Sequence, residues 1–201
     1  MTVSGRRGFS LVEIAVALAI ILILAAVALP NVAGYLDQKN VEATATQLAT
    51  VRDALFGPAT SFRTVMQTNA SRLSFLDSAV VNGDDDSCGN NYTNGERNRW
   101  DNTPGGPFMT YSSDRTVGMM TPIGLADDLL ATIGASGTSP RYLRIQFQNQ
   151  KLTSAEALEM IVDGTPDPNT GWNSNVVRWT PQAGVAGNVT LYYYVTIDGT
   201  C

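Results

Sequence analysis

The chain has no histidine, only two cysteines and, with Asp, Glu, Lys and Arg together at 15%, few charges for its 201 residues. Without histidine there is no Ser-His-Asp or Cys-His nucleophile system and no His-ligated metal centre. Two cysteines cannot build a four-cysteine zinc site or an iron–sulfur cluster. Lysine occurs only at Lys39 and Lys151, and 18 acidic residues outnumber 13 basic ones, for a net charge of -5. No long basic run is present to follow a phosphate backbone, so nucleic acid is not an expected partner. Most enzyme classes lack their usual residues here, and no enzymatic activity is expected.

What is present is concentrated at the start. From Phe9 to Leu29 the only charged residue is Glu13. A helix of ~20 apolar residues crosses a bilayer. Arg6 and Arg7 precede the run and no basic residue follows before Lys39, so the positive-inside rule leaves residues 1–8 in the cytoplasm. Glu13 is the anomaly, because a carboxylate in a membrane span costs roughly 2.5 kcal/mol or more and marks function by default. Snorkelling to the headgroups is the bland account of it. An ordinary secretory signal cut after Ala26-Val27-Ala28 is the competing reading of the whole run, but such apolar regions are usually ~7–15 residues and lack an acid.

Gly8-Phe9-Ser10-Leu11-Val12-Glu13 resembles the processing site of type IV pilins and type II secretion pseudopilins. The resemblance runs from Arg6 to Pro30. It implies cleavage after Gly8 by a prepilin peptidase, N-methylation of the new N-terminal Phe9, and a role for Glu13 in assembly. Pro30 falls where these proteins place a helix-disrupting proline, and with Gly34 it marks the expected bend or unwound turn. The implied partners are further copies of the chain in a helical filament, the peptidase, an inner-membrane assembly platform, and lipid before assembly. The implied location is the inner membrane, then a filament at the cell surface or in the periplasm. In the filament, the Glu13 carboxylate of one subunit can meet the Phe9 amine of another, offsetting two expensive buried charges and setting axial register.

Beyond Pro30, Val41, Ala45, Leu48, Val51 and Leu55 recur as one face of a helix, which Gly57-Pro58 stops. The reading divides the chain into a leader (1–8), a membrane and filament-core helix (9–30), an amphipathic helix (31–57) and a globular head (58–201). Within the head, Phe62, Val65, Met66, Leu73, Leu76 and Val80 predict one more helix over 59–80. Residues 82–106 read as loop, anchored by Trp100, Phe108 and Tyr111. A short helix is expected around Leu125, Leu129 and Leu130. Alternation predicts strands around Leu143–Phe147, over 175–180, and over 189–197 with Val189, Leu191, Tyr193, Val195 and Ile197 on one face. A Thr153-Ser-Ala-Glu156 capping box opens a helical turn between them. The fold class is therefore α+β: a long N-terminal helix packed on a small antiparallel sheet, the layout the pilin resemblance also implies.

Three sets of head residues are candidates for sites. Cys88 and Cys201 are expected to face an oxidising space, where two cysteines usually pair; many pilins have a similar C-terminal pair. Two free thiols are the alternative. Asp163, Asp167 and Asn169 lie on a Gly- and Pro-bearing loop with oxygen ligands of the kind Ca²⁺ takes, and major pseudopilins have a calcium site in a C-terminal loop. A solvated polar turn fits the same residues, as it does the Asp84-Asp85-Asp86 cluster. No other cofactor is expected. Tyr192 and Tyr194 should face outward and Tyr193 inward, offering an aromatic surface for sugar or protein contacts. The leading reading is a structural pilus or pilus-like subunit. A minor pseudopilin of type II secretion and a membrane-anchored binding module that never polymerises share its anchor.

Overall fold

A computed structural model describes residues 9–58, 60–102, 105–134, 141–164 and 176–197, and within these does not describe the side chains of 27–31. Gly8 and the rest of the leader, Asp167, Asn169 and Cys201 lie outside the described residues. The chain divides into two compact units, Met1–Lys39 and Asn40–Cys201.

One helix, α1 (Leu11–Phe56), supplies the described secondary structure of the first unit and opens the second. In the first unit its apolar residues fall on every face, and Leu11, Val12, Leu18, Leu22 and Leu24 are all exposed. Among the described residues no helix is long and apolar enough to cross a membrane. The span expected over 9–30 runs into residues 27–31, whose side chains are not described. The backbone is helical through Pro30 and Gly34, so the broken turn expected there is not seen. Proline removes a single backbone donor, and the intact i→i−4 bonds of the turns on either side keep the segment helical.

In the second unit α1 becomes amphipathic as its spacing predicts. Val41, Leu48, Val51 and Leu55 are each at most 2% exposed, and burial of side chains of this size is worth ~1.5–3 kcal/mol apiece. Polar Gln47 shares the buried side because its Nε2 donates to the Met120 carbonyl at 3.2 Å. Gly57 follows the last turn; a Cβ there would lie 2.4 Å from the Asp53 carbonyl, so a residue with a side chain cannot take this exit unchanged.

Seven strands form one antiparallel sheet: β1 (Ser113–Asp114), β2 (Gly118–Thr121), β3 (Gly124–Ala126), β4 (Ala131–Ile133), β5 (Arg141–Lys151), β6 (Val177–Pro181) and β7 (Asn188–Ile197). Their order is β1-β2-β3-β5-β7-β6, with β4 also paired to β5. The central pair β5–β7 follows the predicted alternation: Leu143, Ile145, Phe147, Leu191, Tyr193, Val195 and Ile197 are buried. They share one hydrophobic core with the buried face of α1. Register shifts between Phe147 and Gln150, where Asn149 takes a positive φ of 57°, a backbone region asparagine tolerates.

Several expected elements differ. The single helix expected over 59–80 is two short pieces, α2 (Phe62–Met66) and a 3₁₀ turn (Leu73–Leu76). Gln67, with φ 62°, caps α2 in the left-handed region and ends it. Phe62, Met66, Leu73, Leu76 and Val80 are still buried and Val65 is half-buried, because two turns can deliver nearly the same side chains to the core as one helix. The loop expected over 82–106 contains α3 (Asn94–Asp101). Its Thr93 and Glu96 form a reciprocal capping box, a signal masked by the Asn and Gly around it. The helix expected near Leu125–Leu130 is instead strands β2, β3 and β4. Gly118 explains the tight pairing: its φ is 107° and a Cβ would sit 2.0 Å from the Ala126 carbonyl. Helix α4 (Leu152–Asp163) begins at Lys151 without a side-chain cap, so Thr153-Ser-Ala-Glu156 is not its capping box. Strand β5 stays paired through Lys151 and feeds the helix directly, placing Thr153 inside its first turn. Trp100 and Phe108 pack on the core as expected, whereas Tyr111 is exposed.

Candidate functional site

The start of α1 is built by Ser10 and Glu13. The Glu13 Oε2 accepts from the Ser10 backbone N–H at 3.1 Å. The Ser10 Oγ accepts from the Val12 N–H at 3.2 Å, and the Ser10 carbonyl from the Ile14 N–H at 3.2 Å. Helix N-termini leave four donors unsatisfied, and a carboxylate in the first turn also meets the positive end of the helix dipole. Glu13 thus has an intrachain partner in the single subunit. The sequence reading gave it only an intersubunit one and passed over Ser10, although Ser10-Leu-Val-Glu13 has the spacing of a capping box. Phe9, one residue before the cap, is 83% exposed. The surrounding helix surface is apolar on all sides, and so large an exposed apolar surface is a site of contact with lipid or protein.

In the head, Cys88 is held on a turn organised by Asp86. The Asp86 Oδ1 accepts from the backbone N–H of Cys88 at 2.8 Å and of Asn90 at 2.9 Å, and its Oδ2 accepts from the Thr68 hydroxyl at 2.7 Å. Asp84 takes both its oxygens to Arg115 Nη1, at 2.8 and 3.0 Å, and accepts from the Val81 N–H. Asp85 accepts from the Asn91 side-chain amide. Each of the three aspartates therefore has its own local partners, the arrangement of a braced turn. Among the described residues no cysteine is a free thiol, and no group of three or more His, Cys, Asp or Glu is placed to hold a metal ion.

Tyr92 lies under this turn with its hydroxyl donating to the Asn69 carbonyl at 3.3 Å. Burial pushes its phenol well above the usual range, and the negative charges of Asp86, Asp84, Glu96 and Asp85 push it the same way. Around it Phe62, Phe75 and Phe108 pack edge and face, and the Trp100 indole donates to the Phe75 carbonyl at 2.9 Å. Asp163, the one described member of the calcium candidate, accepts from the backbone N–H of Val176 at 3.0 Å and of Val177 at 2.8 Å, one bond to each oxygen. It joins the end of α4 to the start of β6. On β7, Tyr193 is buried and Tyr192 and Tyr194 face outward half-buried, as alternation predicts.

Residues 3–29 match the family model described as the prokaryotic N-terminal methylation motif. The chain carries the prepilin signal of type IV pilins and pseudopilins. No curated protein and no solved structure gives a significant match. The prepilin motif contains the Ser10–Glu13 cap and the exposed apolar surface just described. With the α+β head that follows, it makes the chain pilin-like: an N-terminal helix packed on an antiparallel sheet. The prepilin motif implies processing by a prepilin peptidase.

Proposed function

We propose that this pilin-like chain is a structural subunit of a type IV pilus or pilus-like filament, assembled from the inner membrane through its N-terminal helix. The observation that carries the proposal is the prepilin motif over residues 3–29, with Glu13 in the first turn of a helix whose opening part is apolar on every face. In this reading the peptidase cuts between Gly8 and Phe9 and the Phe9 amine is methylated. Residues 9–30 hold the subunit in the bilayer and later line the filament core. The subunit performs no chemistry of its own. Cys88 pairs with Cys201 and fastens the end of the chain to the head.

The self-cap adds a step to assembly. Before polymerisation, the Glu13 carboxylate is stabilised by the Ser10 N–H and by the helix dipole, which lowers the cost of holding an acid in lipid. On docking, the Phe9 amine of another subunit joins it and gains a partner for an otherwise uncompensated charge. A Glu13→Ala subunit should still insert and still lose its leader, but the filament recovered by shearing should fall sharply relative to processed subunit in membranes. Intact-mass measurement should place Phe9, methylated, at the mature N-terminus. Normal filaments from Glu13→Ala protein expressed without wild type, or cleavage after Ala28, would overturn the proposal.

A further inference from the structure

Asparagine is followed by glycine twice in the chain, at Asn82-Gly83 and Asn94-Gly95. Glycine has no side chain to shield its backbone nitrogen, so that nitrogen can approach the preceding asparagine's side-chain carbonyl closely. Both pairs are exposed. Exposure therefore does not separate them, and the backbone does.

Asn82 and Gly83 form the tip of a turn. The Asp84 N–H donates back to the Val81 carbonyl at 3.2 Å. Gly83 has a φ of 93°, and a Cβ placed on it would have nothing within 4 Å. Residues 60–102 are described without a break, and among the described residues the Asn82 amide makes no hydrogen bond. Asn94 and Gly95 instead open α3. The Asn94 Oδ1 accepts from Arg97 Nη2, and the Thr93–Glu96 capping box closes over the same turn. A ring closed between the Asn94 side chain and the Gly95 nitrogen would swing the Asn94 backbone out of the helical region and open that capped turn. At Asn82 no regular element has to open.

We propose that Asn82 is a site of spontaneous deamidation, which marks the age of the head. The Gly83 backbone nitrogen attacks Asn82 Cγ. A C–N bond forms, the Cγ–Nδ2 bond breaks, and the amide leaves as ammonia with the Gly83 proton. Solvent water then adds to one carbonyl of the five-membered imide and breaks its bond to the Gly83 nitrogen. Opening at Cγ leaves aspartate. Opening at the main-chain carbonyl leaves isoaspartate, whose main chain runs through Cβ and Cγ. Either product puts a new carboxylate beside the Asp84-Asp85-Asp86 run, where like charges repel. Isoaspartate also lengthens the turn. The bond from the Asp84 N–H to the Val81 carbonyl spans it, as does the bond from the Val81 N–H to Asp84 Oδ2 at 2.8 Å. Both hold Asp84 in place against Arg115, so the change loosens that contact. The inference concerns the head alone and holds whether or not the subunit polymerises.

The test is peptide mapping by mass spectrometry of the full-length protein in detergent micelles. Samples are taken over time in mildly alkaline buffer, with and without guanidinium chloride, and isoaspartate is detected by enzymatic methylation. In the folded protein Asn82 should convert, with isoaspartate at that position. Asn94 should convert about ten-fold more slowly, the rate factor for opening one capped turn. In guanidinium chloride the two rates should converge. Asn82→Gln should abolish conversion at that position and leave the rate at Asn94 unchanged. Three results would each overturn the proposal: an intact Asn82 in folded protein while the unfolded chain converts, Asn94 converting as fast as Asn82, or a difference between them that persists in guanidinium chloride.

Discussion

Asp128 is the residue whose loss the head should feel most. Its side chain is only 4% exposed, and it lies between β3 and β4, where it ties three segments together. The Oδ1 accepts from the Ser74 N–H at 2.7 Å and the Ser113 hydroxyl at 3.3 Å; the Oδ2 accepts from the Ser74 hydroxyl at 3.1 Å and from Arg72 Nη1 at 3.2 Å. Asp128→Ala removes all four interactions. The hydroxyls can rotate, but the Ser74 N–H is fixed in the 3₁₀ turn and fully buried, and an orphaned buried donor costs about 1–3 kcal/mol. Arg72 is 37% exposed and recovers water, so its share is under about 1 kcal/mol. Together they give a loss of about 1–4 kcal/mol, most of it from the orphaned Ser74 N–H. Asp128→Asn keeps the shape and one carbonyl acceptor and should lose about half as much. Arg72→Ala should cost under about 1 kcal/mol. The assay is urea denaturation followed by tryptophan emission, since Trp100, Trp172 and Trp179 all lie in the Asn40–Cys201 unit. A loss below about 1 kcal/mol in Asp128→Ala, or an equal loss in Arg72→Ala, would refute the reasoning.

Tyr92 makes the head sensitive to alkali. Burial raises its folded-state phenol above the unfolded value of 10.0, so its contribution is complete below about pH 10 and is lost above it, at about 1.4 kcal/mol per pH unit for one proton. Tyr92→Phe should flatten that decline by about one proton in pH-dependent denaturation, leaving the smaller share from Tyr193, which burial raises in the same direction. Cys201→Ser should remove a Cys88–Cys201 link visible in non-reducing peptide maps and lower stability by at most about 4.7 kcal/mol, the chain-entropy figure for a loop of this size; free thiols in protein from the cell surface would count against the link. Because both Asp163 oxygens already accept backbone donors, chelation of divalent ions should leave the Tm of the full chain unchanged, and a clear fall would assign a structural metal to the 163–171 loop.

The elements readable from sequence are those whose burial follows one period. The face from Val41 to Leu55 and the alternation in β5 and β7 each put a regular stripe against a single core, so local pattern and tertiary packing agree. The prepilin signal was legible for another reason: charge order, apolar length and Glu13 are covalent facts of the chain. Tertiary structure decided the rest. Phe62 to Val80 reaches the core by two broken turns because Gln67 takes a left-handed conformation that no periodicity reveals. Leu125 and Leu130 fall on or beside strands because neighbouring strands offered backbone partners to a segment equally suited to a helix. Ser10 and Glu13 had the spacing of a cap, but only the folded turn brings the carboxylate onto the Ser10 N–H. Sequence alone placed Tyr192 and Tyr194 outward. Arg144 lies over the Tyr192 ring and Arg178 over that of Tyr194. This crossing depends on the register of three strands separated in sequence, and that register is set by core packing on the opposite face.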